Sequence, residues 1–218
     1  TVAALPQGSN TASINDGCIT FSPDGKTMVF AKGNSGKRKS TEDVDLYISR
    51  FRNGNWSEPI MININEPGAW DSSPAFSPDG RTLYFASNRK SRGRNQISYG
   101  GTDIYSAQMD TRGRFSRVRN LGPEINTPGN ELFPYVAEDA KLYFASDGHP
   151  GYGGLDLFVV KRASGKTAIE NLAQPVNSSG DDFGIFLFRP DRGFFTSNRD
   201  GGKGDDDIYT FVNEDPNL

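Results

Sequence analysis

Phe76-Ser-Pro-Asp-Gly-Arg-Thr-Leu-Tyr-Phe-Ala-Ser-Asn-Arg89 reads as a strand end, a tight turn, a second strand and a polar stop. Pro78 fixes its own φ and Gly80 accepts a positive one, so Pro-Asp-Gly makes the turn. The strand after the turn returns as Lys26–Ala31, Lys141–Ala145 and Arg192–Thr196, each opened by a basic residue and filled with aromatic or aliphatic ones. Ser-Asn or Ser-Asp follows three of the four: Ser87-Asn88, Ser146-Asp147 and Ser197-Asn198. A Gly-rich loop comes next, then an Asp that opens another strand: Asp45, Asp103, Asp156 and Asp207, spaced 58, 53 and 51 residues apart. A repeat of this period has to be recognised before any motif is read, because it dictates the architecture.

Two further positions keep register. An acid precedes an apolar anchor by five residues: Asp16, Asp71, Glu131 and Asp182. An Asn follows an aliphatic residue by five: Ile60/Asn65, Leu121/Asn126, Leu172/Asn177 and also Leu5/Asn10. Short aromatic or β-branched runs separated by Gly, Pro, Asn and Asp predict antiparallel strands. In the second repeat they fall near 73–77, 82–87, 103–109 and 115–121. No window carries a helical apolar period over ten or more residues. Four-stranded units of this length without helices predict an all-β fold, a β-propeller of four antiparallel blades. The expected limits are one domain over 1–218, with blades near 11–65, 66–126, 127–177 and 178–218 plus 1–10. The unpaired tail at 1–10 and the missing tail of the last repeat predict a ring closed by the N-terminal strand in the C-terminal blade. The alternative is that further blades lie outside the chain.

The 218 residues carry 24 basic and 27 acidic side chains, so no domain-wide basic field favours nucleic acid. Only 34% of residues are apolar, but 15 Phe, 8 Tyr and 2 Trp are spread over every repeat and can build a thin core. The lone Cys18 excludes an internal disulfide and reads as a buried thiol. No apolar run is long enough to span a membrane as a helix.

Little in the sequence points to catalysis. His149 is the only histidine, lies in a Gly-rich loop and has no nucleophile elbow beside it, so it reads as an exposed loop residue. By repeat symmetry Asp16, Asp71, Glu131 and Asp182 gather at one end of a central channel. There they either accept hydrogen bonds from backbone N–H groups of the adjacent blade, or repel, raise one another's pKa values or bind a cation; the first reading fits their recurrence better. Asp45, Asp103, Asp156 and Asp207 read as turn-closing residues. Asp205 and Asp206 are the candidate calcium ligands, without the spacing of an EF-hand; otherwise no cofactor is expected. The long loops carry the candidate partner-binding residues Lys37, Arg38, Lys39, Arg89, Lys90, Arg92, Arg94 and Tyr99, and Trp70 is a candidate anchor beside Asp71. Trp56 reads as packing. The expected function is a non-enzymatic protein-interaction module; alternatives are a glycan-binding propeller, a propeller hydrolase and a peptidase-associated regulatory domain.

Phe76–Arg89, followed by Gly100-Gly-Thr-Asp-Ile-Tyr105, resembles the WD40-like propeller repeat of TolB. Leu121-Gly-Pro-Glu-Ile-Asn-Thr127, Leu142–Gly148, Gly153–Leu157 and Ser197–Gly202 are similar to the propeller of OmpA-family envelope proteins of Bacteroidetes, such as the PorE-like component of type IX secretion. The resemblance spans nearly the whole chain. It implies a periplasmic, outer-membrane-associated binding module with protein partners in the cell envelope, in a secretion or peptidoglycan-associated assembly, and no catalytic residues to carry over. Repeat one departs from the pattern with Lys32-Gly33 in place of Ser-Asn.

Overall fold

The structure is a computed structural model and describes residues 16–33, 43–90, 97–163 and 165–214. Among these every regular element is a strand. Sheet one holds β1 (Asp16–Phe21), β2 (Thr27–Gly33), β3 (Val44–Arg52), and the short β4 (Asn55–Trp56) and β5 (Ile60–Met61). Sheet two holds β6 (Asp71–Phe76), β7 (Thr82–Ser87), β8 (Asp103–Met109) and β9 (Phe115–Asn120). Sheet three holds β10 (Glu131–Val136), β11 (Leu142–Ser146), β12 (Asp156–Ala163) and β13 (Lys166–Asn171). Sheet four holds β14 (Asp182–Arg189), β15 (Arg192–Ser197) and β16 (Asp207–Val212). All are antiparallel meanders, the blades of a β-propeller fold. Two compact units result, one from blades 1 and 2 up to Asn120, the other from residues 99–103 and 121–218.

The Phe-Ser-Pro-Asp-Gly phrase is a turn and nothing more. Ser22 and Ser77 each donate a hydroxyl to the Asp two residues on, at 2.6 Å. The same carboxylates accept the amides of Lys26 and Arg81 at 3.0 Å, and Gly25 and Gly80 take φ values of 65° and 68°. The recurrent Asn closes blades 1 and 3 from behind. Asn65 Oδ1 accepts the Leu46 amide at 3.0 Å and its Nδ2 donates to the Leu46 carbonyl at 2.9 Å; Asn177 treats Leu157 in the same way, at 2.8 and 2.9 Å. Leu46, Ile104 and Leu157 are fully buried, whereas their counterpart Ile208 on β16 is 77% exposed. The expected pairing of residues 1–10 with β16 lies outside the described residues.

Apolar side chains on alternate positions build the two cores. In the first unit Val29, Leu46, Ile48, Leu83, Phe85 and Phe115 pack together, and in the second Ala145, Leu157, Ile185 and Phe195 do. One feature escaped the sequence. The third residue of every innermost strand has a positive φ: Cys18 (45°), Ser73 (49°), Phe133 (49°) and Gly184 (63°). Pairing slips there in all four strands, so each carries a β-bulge. Four unlike residue types share the conformation, so no composition marks it. The bulge also corrects the reading of Cys18 as a buried thiol. It turns the side chain out of the alternation, and Cys18 is exposed.

Glycines allow the loops to touch. A Cβ on Gly153 would overlap the Ser178–Gly180 backbone, and one on Gly100 would overlap that of Thr127–Gly129. Gly153→Ala is therefore expected to cost about 1–3 kcal/mol, an overpacking penalty. Gly17→Ala, with open space around its Cβ position, costs far less. Urea denaturation of the two variants checks the difference.

Candidate functional site

Each blade carries a polar row across its three inner strands, fully buried in blade 3. In blade 3 Glu131, Ser146 and Asp156 are consecutive cross-strand partners, and in blade 4 Asp182, Ser197 and Asp207 are. Asp16, Lys32 and Asp45 hold the same places in blade 1. The sequence-predicted acids and strand-opening Asp residues, read as two separate sets, are thus joined by a Ser or, in blade 1, by a Lys.

The carboxylates of Asp71, Glu131 and Asp182 are all 0% exposed, and a buried charge needs partners. Asp71 Oδ2 accepts the Glu66 amide at 2.8 Å, and Oδ1 accepts Arg89 NH2 at 2.7 Å. Asp182 Oδ2 accepts the amide and hydroxyl of Ser178 at 2.5 and 2.9 Å, and Oδ1 accepts Arg199 NH2 at 2.7 Å. Glu131 accepts the Thr127 amide at 2.9 Å, the Thr127 hydroxyl at 2.6 Å and the Ser146 hydroxyl at 2.8 Å. Burial pushes the Glu131 carboxyl up, against the pull of Thr127, Ser146 and the His149 charge. Asp71, Glu131 and Asp182 do accept backbone amides, but from the segment just before their own strand and not, as the sequence predicts, from an adjacent blade. The side chain of Asp16 lies outside the described residues.

A basic residue caps a cross-strand aromatic pair in every blade. Arg89 lies 5.0 and 4.9 Å from the rings of Phe85 and Tyr105, and Arg199 the same distances from Phe195 and Tyr209. Each Arg also donates Nε to the Ser of its row, at 2.8 and 2.9 Å, and NH2 to a carbonyl, that of Ile64 or Val176. His149 occupies this place in blade 3, 5.7 Å from Phe144 and 5.2 Å from Phe158, with Nε2 at 2.8 Å from the Ile125 carbonyl. Lys32 stands 5.9 Å over Tyr47 in blade 1. Two expectations are corrected here. Arg89 is not on an exposed binding loop; it is 7% exposed because Asp71 and the two rings enclose it. His149 is not a free loop side chain, because the same aromatic pair seats it.

The strand-opening acids close their loops as expected. Asp103 accepts the amides of Tyr99 and Gly100 at 2.8 and 3.2 Å, Asp156 those of Tyr152 and Gly153 at 2.9 and 3.1 Å, and Asp207 those of Lys203 and Gly204 at 2.6 and 3.1 Å. Asp45 differs. Burial, then the neighbouring Asp43 and Asp71 charges, push its carboxyl up to about 6. The calcium expectation at Asp205 and Asp206 is corrected. Both are exposed, and among the described residues no three His, Cys, Asp or Glu side chains converge on a cation position. Trp70 is half-buried, its amide held by Asn88 Oδ1 at 2.7 Å. Lys90 is exposed and Tyr99 half-buried, while Lys37, Arg38, Lys39, Arg92 and Arg94 lie outside the described residues.

No protein family matches the chain, nor does any curated protein. Solved structures do. A Mycobacterium tuberculosis puromycin-hydrolyzing peptidase superposes with a TM-score of 0.57 at 16% identity, covering 98% of this chain and 31% of its own. A glycoside hydrolase gives 0.56 at 11% identity, covering 94% and 72%. A TolB structure from Agrobacterium tumefaciens gives 0.49 at 16% identity, covering 84% and 70%. This chain spans about a third of the first, and identities this low show the fold alone.

Two measurements check the site. Removing one partner of a buried ion pair strands the other charge, so Arg89→Ala is expected to cost about 3–5 kcal/mol in chemical denaturation. Replacing both partners, Arg89→Met with Asp71→Leu, costs less than the single change. Asp45 sets a pH dependence. Its folded carboxyl titrates above the unfolded one, so its contribution is complete below pH of about 4 and is lost as pH rises through about 6. Asp45→Asn is therefore more stable than the parent at pH 7.5 and loses that advantage at pH 4, read as the difference in Tm.

Proposed function

We propose that this chain is a non-enzymatic protein-interaction module of a bacterial cell-envelope protein. The observation that supports this reading is the use of the recurrent buried acids. Asp71, Glu131 and Asp182 are spent on backbone amides, hydroxyls and a fixed cation. Groups held this way are frame, whereas a general acid or nucleophile needs an open coordination toward substrate. Repetition at the same place in successive blades supports the same conclusion. The periplasmic, outer-membrane-associated setting rests on the resemblance of the Leu121–Thr127 and Ser197–Gly202 motifs to OmpA-family propellers.

A rigid blade set displays its variable loops, and these are the expected contact surface. The stretch Lys90–Gln96 is the most basic of them near Trp70 in sequence. Tyr99, Gly100 and Gly101 belong to the frame, because Asp103 holds the first two and Gly101 packs on Asn130. The test replaces residues 91–96 with Gly and Ser and compares capture from envelope extracts with the parent. Selective loss of a captured protein is expected, and equal capture by both would remove this loop from the interface. Turnover of peptide or glycan substrates that Glu131→Gln abolishes, in a variant still folded, would replace the interaction reading with the hydrolase one.

A further inference from the structure

Blade 1 departs from the pattern of the strand-opening acids. Asp103, Asp156 and Asp207 each collect two amides from the loop before them. Asp45 holds the same register on β3 and is 6% exposed, yet among the described residues no group donates to its carboxylate. The charges that act on it are those of Asp43 and Asp71, which are acids themselves. Two residues before the strand-opening acid, blades 2 and 3 have Gly101 and Gly154, where a Cβ would meet Asn130 Oδ1 or Asp181 Oδ1. Blade 1 has Asp43 there. Its Oδ2 accepts the Gly68 amide at 3.1 Å, and its Oδ1 is buried with no partner among the described residues.

Asp43 and Asp45 flank Val44, so strand alternation turns both carboxylates to one side. Val44 forms a parallel bridge with Trp70, which sets Asp45 beside Asp71. The nearby cations have other seats. Arg89 is held by Asp71, Ser87 and the Ile64 carbonyl, and Lys32, the cross-strand partner of Asp45, stands over the Tyr47 ring. Asp43 Oδ1 and the Asp45 carboxylate are thus acceptors without a donor, and carboxylates taken out of water need a donor or a cation.

We propose that Asp43 and Asp45 form a calcium site at the start of β3, with Asp43 Oδ1 and the Asp45 carboxylate as the protein ligands and water completing the shell. Calcium accepts oxygen ligands in flexible geometry and keeps water in its shell, so two carboxylates make a weak site, with a Kd of about 10⁻⁴–10⁻³ M. An all-oxygen donor set selects a hard cation over zinc or copper. The ion supplies from solution the charge that Arg89 and Arg199 supply from the chain to Asp71 and Asp182. Blade 4 does not reproduce the site. It has Asp205 two residues before Asp207, but Asp205 is exposed and Asp207 already holds its two amides.

The test is thermal denaturation of the full chain at pH 7.5 in calcium chloride, against sodium chloride of equal ionic strength. Calcium at about tenfold its Kd is expected to raise Tm by about 3–6 °C, and the rise saturates. Asp45→Asn, the more stable chain at pH 7.5 without calcium, should lose the calcium response, and so should Asp43→Asn. A variant that is soundly folded and blind to calcium separates loss of the ligand from damage to the fold. Asp205→Asn combined with Asp206→Asn should keep the response in full. The unaltered chain decides the question even if a variant does not fold: no saturable rise there, or a rise that survives in Asp43→Asn combined with Asp45→Asn, would overturn the proposal.

Discussion

A carboxylate with no exposure to water has to be answered inside the protein, and that requirement shapes the loops at one end of the described blades 2 to 4. In blades 2 and 4 the answer is an arginine that reaches back over its own aromatic pair. One guanidinium then joins the innermost strand, the serine of the second strand, two rings and a carbonyl of the preceding segment. The loop after the second strand starts from this anchor. Its far end is fixed by the strand-opening Asp, whose carboxylate collects the two amides just before it. Between these points the sequence differs, from the Gly-Tyr-Gly-Gly of blade 3 to the Gly-Gly-Lys-Gly of blade 4, although glycines such as Gly153 are fixed by close contacts.

Much of this was legible because it repeats at fixed spacing. The strand after the turn and the acid that opens each innermost strand are real registers, and the Asn register is seen at Asn65 and Asn177. For the second repeat β7 and β8 run as read, and β6 begins two residues earlier, at the acid itself. The strand-opening acids were read correctly as turn closers because Asp beside Gly makes that turn by local chemistry alone. The arginines were misread for the opposite reason. Arg89 stands in a run of basic residues, and charge runs are usually solvated; only the fold folds it back over Phe85 and Tyr105. The same pairing is visible in retrospect as Ser-Asn-Arg in repeats two and four, two residues past a Phe-Ala-Ser or Phe-Thr-Ser end. The bulge was out of reach, since Cys, Ser, Phe and Gly share nothing but their place.

The departures of blades 1 and 3 are the informative ones. Blade 1 puts Lys32 where the others have Ser, between Asp16 and Asp45 in strand register. The lysine stands over the third-strand aromatic, Tyr47. Blade 3 keeps the loop anchor but changes both charged partners together. Glu131 is met there by Thr127 and Ser146, and the His149 ring by the Ile125 carbonyl.

Three caps on one pattern also explain why a set of buried acids need not indicate chemistry. In an active site the carboxylates differ in environment, because their tasks differ. Here Asp71 and Asp182 have nearly superimposable surroundings, down to the guanidinium contacts at 2.7 Å and the ring distances. Symmetry of this kind gives Asp71 and Asp182 like surroundings. The variable positions are then the exposed side chains between the anchors, such as Lys90. What distinguishes this chain among propellers has to be sought in those loops.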